Sequence, residues 1–158
     1  MRRPKVYLET TLFNFYVDQS REAHADTVKL FHEIAAGKFD AFTSRYVVDE
    51  LKDAPEVKCD KMIALIEEYN ILTLEPNAEA VKLAELYVAE GVIPQKYRTD
   101  GLHIALAAVN NLDIIISMNF QHIVKRKTTQ MTGHINVMNG YRVVEICSPM
   151  EVIDHETD

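Results

Sequence analysis

Residues 114–117, "IIIS", are three consecutive isoleucines followed by a serine. A strand with one face in water alternates apolar and polar side chains, because successive residues point to opposite faces. This run is apolar on both faces, which fits a strand inside a parallel sheet covered on either side. Parallel strands need crossovers of a dozen or more residues, usually helices. The rest of the chain supplies them.

Upstream, Lys5 to Leu8 reads as a first strand and "DAFTS" at 40–44 as a second. Between them, Val28, Phe31 and Ala35 recur at helical spacing within 26–36, and Gly37 follows as a C-terminal cap. Ser44 can cap a helix carrying Val47, Val48 and Leu51, which Pro55 ends. Met62, Leu65, Ile66 and Tyr69 form the stripe of a helix over 56–69, and "ILTL" at 71–74 is a third strand. Ala80, Val81, Ala84, Tyr87 and Val88 mark another helix, closed by Gly91. Thr99 is the expected cap of the most apolar helix, 100–109, and "RVVEI" at 142–146 the fifth strand after "IIIS". Strands alternating with helices predict a doubly wound α/β layer structure.

The length of 158 residues suits one domain, expected over 1–154 with a short frayed tail at 155–158. A hydrophobic fraction of 47% and a charged fraction of 26% exclude a disordered or fibrous chain. The net charge of −7 argues against nucleic-acid binding over the whole surface, so any such contact must be focal. Cys59 and Cys147 lie far apart without metal spacing and read as reduced thiols, which points to the cytoplasm. Arg2, Arg3 and Lys5 resemble a signal-peptide start, but Glu9 and Asn14 interrupt the apolar stretch after them. No apolar run reaches membrane-spanning length, so no membrane partner is expected.

In doubly wound folds ligands bind at the carboxyl ends of the strands. Glu9 follows the first strand, among apolar neighbours where a charge needs a partner, a proton or a metal. Glu50 sits early in the helix after the second strand, and Asn119 follows the fourth. Asp100 opens the helix leading into the fourth strand, where the helix dipole also favours an acid. Three carboxylates and an amide oxygen gathered at one edge make a hard, oxygen-only cluster suited to Mg²⁺ or Mn²⁺. Such a site supports phosphodiester hydrolysis with a metal-activated water and no covalent nucleophile.

The stretches "VYLETTLFN", "TSRYVVDEL", "RTDGLHIALAA" and "IIISMNFQHI", in this order and spacing, resemble the PIN-domain nucleases, particularly the VapC-like toxins of bacterial and archaeal toxin–antitoxin pairs. The resemblance spans nearly the whole chain. It implies a PIN-like three-layer α/β/α domain with a central five-stranded parallel sheet. It further implies a Mg²⁺- or Mn²⁺-dependent endoribonuclease, often a homodimer and, in toxin members, held by a cognate antitoxin protein. Glu9 stands where the family usually has aspartate, Glu50 and Asp100 match family carboxylates, and Thr11 matches a residue that supports the site. Asn119 replaces an aspartate found in many members, which removes a charge from the place of a second metal.

Each of these residues also has a plainer reading. Glu9 could pair with an arginine, Glu50 could belong with Asp49 and Asp53 to a solvated helix face, and Asp100 could merely cap its helix. His103, one turn from Asp100, reads first as a hydrogen-bonded core histidine, and His122 invites the same caution. Lys96 and Arg98 precede Asp100, while Lys125, Arg126 and Lys127 follow the fourth motif. They could hold RNA phosphates or simply be solvated. The rival to a ribonuclease is a degenerate PIN fold that no longer cleaves and serves as an oligomerisation or binding module, and Asn119 is the residue that favours it.

Overall fold

The computed structural model describes residues 2–155. In chain order its elements are β1 (Lys5–Leu8), α1 (Thr10–Val17), α2 (His24–Ala35), β2 (Asp40–Ser44), α3 (Arg45–Leu51), α4 (Glu56–Glu68), β3 (Leu72–Leu74) and α5 (Ala78–Ala89). A 3-10 turn over Gln95–Tyr97 then leads into α6 (Arg98–Val109), β4 (Ile114–Ile116), α7 (Arg126–Met138), β5 (Glu145–Cys147) and α8 (Pro149–Val152). Of the expected tail, residues 156–158 lie outside the described residues. No helix among those described is long and apolar enough to cross a membrane.

All strand pairs are parallel and the sheet order is β3-β2-β1-β4-β5. The helices flank a sheet whose central strands are sealed on both faces: Val6, Tyr7 and Leu8 of β1, and Ile115 and Ile116 of β4, are all fully buried. That is the α/β/α layering expected of an unbroken apolar strand. Chain winding reverses between β1 and β4, so a crevice opens beyond their carboxyl ends.

Four rings fix α1 against the layer behind it. Phe31 of α2 meets Phe13 and Tyr16 of α1 edge-on, at centroid distances of 5.8 and 4.8 Å, and Tyr69 after α4 at 5.1 Å. Edge-to-face pairs of this kind add about 0.5–1.5 kcal/mol each beyond burial. Since Glu9 is the N-cap of α1, this aromatic cluster also fixes where Glu9 stands. Gly37 and Gly91 end their helices at φ of +85° and +76°, the left-handed conformation that a side chain disfavours.

Several boundaries differ from the sequence reading. Thr99 does not cap α6; it lies exposed within the first turn, because the 3-10 turn after Pro94 starts the helix earlier, with Tyr97 at the N-cap and no side-chain cap. The fifth strand is 145–147 rather than 142–146, since pairing begins where Glu145 meets Ile114 of β4, and Arg142 turns aside to a salt bridge with Asp113 at 2.9 Å. Helices α1 and α7 occupy segments to which no element was assigned. In α7 the buried face is mostly polar: Thr128, Thr132 and Asn136 are buried beside a single large apolar residue, Ile135, and Thr132 Oγ1 donates back to the Thr128 carbonyl at 2.6 Å. Such back-bonding satisfies a hydroxyl without leaving an apolar stripe in the sequence.

Candidate active site at the carboxyl edge of the sheet

β1 ends at Leu8, and Glu9 turns the chain into α1. Its backbone N–H still donates to Ile116 O of β4, at 3.1 Å, and its side chain is 3% exposed. Oε1 accepts three bonds: from Thr11 N at 3.2 Å, Thr11 Oγ1 at 2.5 Å and Ser117 Oγ at 2.6 Å. The carboxylate is therefore held by hydroxyls and an amide, not by an arginine. Thr11 Oγ1 in turn accepts from Met118 N at 2.8 Å, and Ser117 Oγ from Asn119 N at 2.9 Å. These bonds tie the ends of β1 and β4 together. Oε2 of Glu9 accepts no hydrogen bond among the described residues.

Glu50 projects from α3, which Ser44 caps by accepting from Val47 N at 3.3 Å. Its Oε1 accepts from Thr10 Oγ1 at 2.9 Å and pairs with His103 Nε2 at 2.6 Å. His103 is wholly buried, and its Nδ1 lies 2.6 Å from the Tyr7 hydroxyl, itself 2.6 Å from Ser44 Oγ. Burial works against a charge on either member of the His103–Glu50 pair, but each stabilises the other. Glu50 is held below its ordinary value by His103 and Thr10, while Glu50, Glu9 and Asp100 raise His103. Burial also lifts the Tyr7 phenol, which keeps its proton. With the imidazole charged, both ring nitrogens donate, to Tyr7 and to Glu50, and the Tyr7 hydroxyl donates onward to Ser44. His103 is thus a hydrogen-bonded core residue and a neighbour of the site at once.

Asp100 lies half-buried in the first turn of α6 and makes no salt bridge among the described residues. Burial raises its carboxyl above the ordinary value, the imidazoles of His103 and His122 pull it down, and the charges of Glu9 and Glu50 push it up again. The net upward shift comes chiefly from burial. Asn119 is engaged locally instead. Its Oδ1 accepts from His122 N at 3.1 Å and closes the bend after β4.

The structure therefore brings Glu9, Glu50 and Asp100 to one edge, yet among the described residues no three acidic, histidine or cysteine side chains are grouped as ligands of one ion. Mg²⁺ commonly keeps several waters and takes only one or two protein carboxylates. Glu9 and Asp100, which have no lysine or arginine partner among the described residues, fit such a hydrated ion; Glu50 is already engaged by His103. The expected basic residues divide. Arg98 reaches Glu85 of α5 at 3.8 Å, and Lys96 Nζ sits over the Tyr97 ring, 5.6 Å from its centroid. Lys125, Arg126 and Lys127 stand exposed at the start of α7.

No family model and no curated protein matches the sequence. Among solved structures, VapC20 of Mycobacterium tuberculosis, described as a sarcin–ricin loop cleaving toxin, superposes with a TM-score of 0.54 over 70% of this chain and 86% of its own, at 12% identity. VapBC2 of Rickettsia felis, bound to a DNA fragment from its promoter, superposes with a TM-score of 0.58 over 91% of this chain and 98% of its own, at 10% identity. The chain has the VapC-like PIN fold. Within that PIN fold, Thr10 and Ser117 bond Glu50 and Glu9 directly, while Tyr7 and Ser44 reach Glu50 through His103; the sequence placed none of the four at the site. Thr10 carried a local signal as a hydroxyl beside Glu9, and Ser117 as the serine ending the fourth strand two residues before Asn119.

Proposed function

We propose that this protein is a Mg²⁺- or Mn²⁺-dependent endoribonuclease and the toxin of a toxin–antitoxin pair. The observation that carries the reading is the gathering of Glu9, Glu50 and Asp100 at the switch point between β1 and β4, where burial raises the Asp100 carboxyl above its ordinary value. A purely structural cluster would be expected to neutralise such charges with lysine or arginine. Glu9 and Asp100 would hold the metal, which when bound supplies an activated water and counter-charge for the phosphate. Thr11 and Ser117 fix Glu9 through one oxygen and leave the other for a ligand. His103 and Thr10 likewise lock Glu50 in place beside them, as one half of an ion pair.

The VapC neighbours support an RNA substrate and a protein antitoxin as partners, the family resemblance supports a homodimer, and the free thiols of Cys59 and Cys147 support a cytoplasmic location. The decisive experiment is incubation of the purified protein with RNA in Mn²⁺ and in EDTA. Cleavage that requires the ion and is lost in Asp100→Asn is the expected result. A second reading, a PIN fold without nuclease activity that serves as a binding module, is favoured by Asn119, whose amide carries no charge and is occupied by His122 N. Intact RNA across millimolar Mn²⁺ at any protein concentration would select it.

A further inference from the structure

Two segments that border the carboxylates meet through an aromatic pair. Tyr97 ends the 3-10 turn one turn before Asp100, and His122 lies in the bend after β4 that Asn119 closes. Their rings stack with centroids 3.9 Å apart and planes at 27°. Tyr97 is 36% exposed, so this plate is open to solvent. His122 belongs electrostatically to the site, since its imidazole is among the groups that act on Asp100.

Packing alone does not account for the pair. A histidine kept for stability has its buried nitrogens paired, whereas His122 Nε2 is buried with no hydrogen-bond partner among the described residues. The cations that follow His122 in the chain are equally unexplained by folding. Lys125, Arg126 and Lys127 crowd the N-terminal end of α7, where the helix dipole disfavours positive charge. Lys96 lies over the Tyr97 ring; on an exposed ring that contact is weak, about 0.5–1 kcal/mol, so an arriving ligand displaces it easily. A flat aromatic face, local cations and an acidic edge beyond them match the chemistry of one nucleotide of a single strand. The base lies on the ring and its phosphates meet the lysines.

Resting on the ribonuclease reading, we propose that the Tyr97–His122 stack is a platform for an unstacked base of single-stranded RNA, which sets the neighbouring phosphate at the carboxylates. Recognition through a π-face tolerates any base, and it favours loops and single strands over duplex RNA.

The test separates this proposal from the reading it rests on. In steady-state cleavage of a single-stranded oligoribonucleotide with Mn²⁺, Tyr97→Ala should raise KM by about 5- to 150-fold, the range of one lost base stack, with kcat little changed. Tyr97→Phe, which keeps the ring, should stay close to the parent. The chain contains no tryptophan, so Tyr97→Trp places a single indole on the platform. Combined with Asp100→Asn to suppress cleavage, its emission should be quenched as the oligoribonucleotide binds, and less so by a duplex of the same sequence. An unchanged KM in Tyr97→Ala, a loss confined to kcat, or an emission indifferent to bound RNA each overturns the platform while leaving the ribonuclease standing. A parent protein that cleaves no RNA removes both.

Discussion

Asp100 and His103 sit on adjacent turns of α6, yet their neighbours shift them for different reasons. Asp100 is raised by burial and by the charges of Glu9 and Glu50, so a neutral side chain is easier to fold there than the carboxylate. A group raised on folding contributes most stability below its unfolded value and loses it as pH rises through the folded one. Asp100→Asn should therefore hold or raise metal-free stability at pH 7 while cutting Mn²⁺-dependent cleavage by about 100-fold, roughly 2.7 kcal/mol in the barrier. Full cleavage by this variant would remove Asp100 from the site. The Glu50–His103 pair behaves differently because its members shift in opposite directions. Glu50, held below its ordinary 4.5, contributes above that value and fades as pH falls through its lowered pKa. His103, raised above 6.5, contributes below that value and fades as pH rises through its raised pKa. The pair thus stabilises most between about 4.5 and 6.5 and declines on either side. Urea unfolding from pH 3 to pH 9, set as about the span of both groups, should show this maximum in the parent and a flatter profile in His103→Gln. Superimposable profiles would mean that the pair is neutral.

At the scale of elements, the site depends on how α1 is seated. Glu9 caps α1, and α1 is held through Phe13 and Tyr16 against Phe31 of α2. Phe31 is fully buried, so Phe31→Ala should cost about 3–5 kcal/mol in chemical denaturation. Because the lost ring is the one that seats α1, cleavage should also fall at temperatures where the variant is still folded. A variant equally destabilised at Tyr87, which lies on α5 and bonds Asn136 of α7, should keep more activity when folded. Equal losses at both positions would show that the aromatic cluster supports the fold without aligning Glu9.

Across the whole molecule, folding gathers like charges that the unfolded chain keeps far apart in sequence. An ion that binds only where they meet stabilises the folded state by mass action, by about 1.4–2.7 kcal/mol at ~10–100 times its dissociation constant. For a chain of this size that corresponds to a rise in Tm of about 3–10 °C. A thermal melt in millimolar Mg²⁺ or Mn²⁺, against EDTA, reads it directly. The shift should shrink in Asp100→Asn, whereas an unshifted Tm in both ions would rule out a metal site at this edge.

The order of strands and helices is legible in the sequence because each rests on a local pattern: three adjacent isoleucines for β4, a stripe at helical spacing for α4 and α5, glycines at left-handed turns. The carboxyl-edge rule then brings Glu9 and Glu50 to one side from sequence alone, since parallel strands must release their following residues at the same end, and Asp100 joins them because the helix it opens runs back to the start of β4. Helix α7 escapes because its buried face is mostly threonines and an asparagine, satisfied by bonds within the helix and to Tyr87, His122 and Arg142, and hydrogen bonding leaves no periodic apolar trace. The hydroxyl ties of Ser117 and Thr10, the burial of His103 between Tyr7 and Glu50, and the meeting of Tyr97 with His122 join residues far apart in the chain. Side-chain identity sets which bonds such residues can make, but only the parallel register of β1 with β4 and the seating of α6 decide which partners stand within reach.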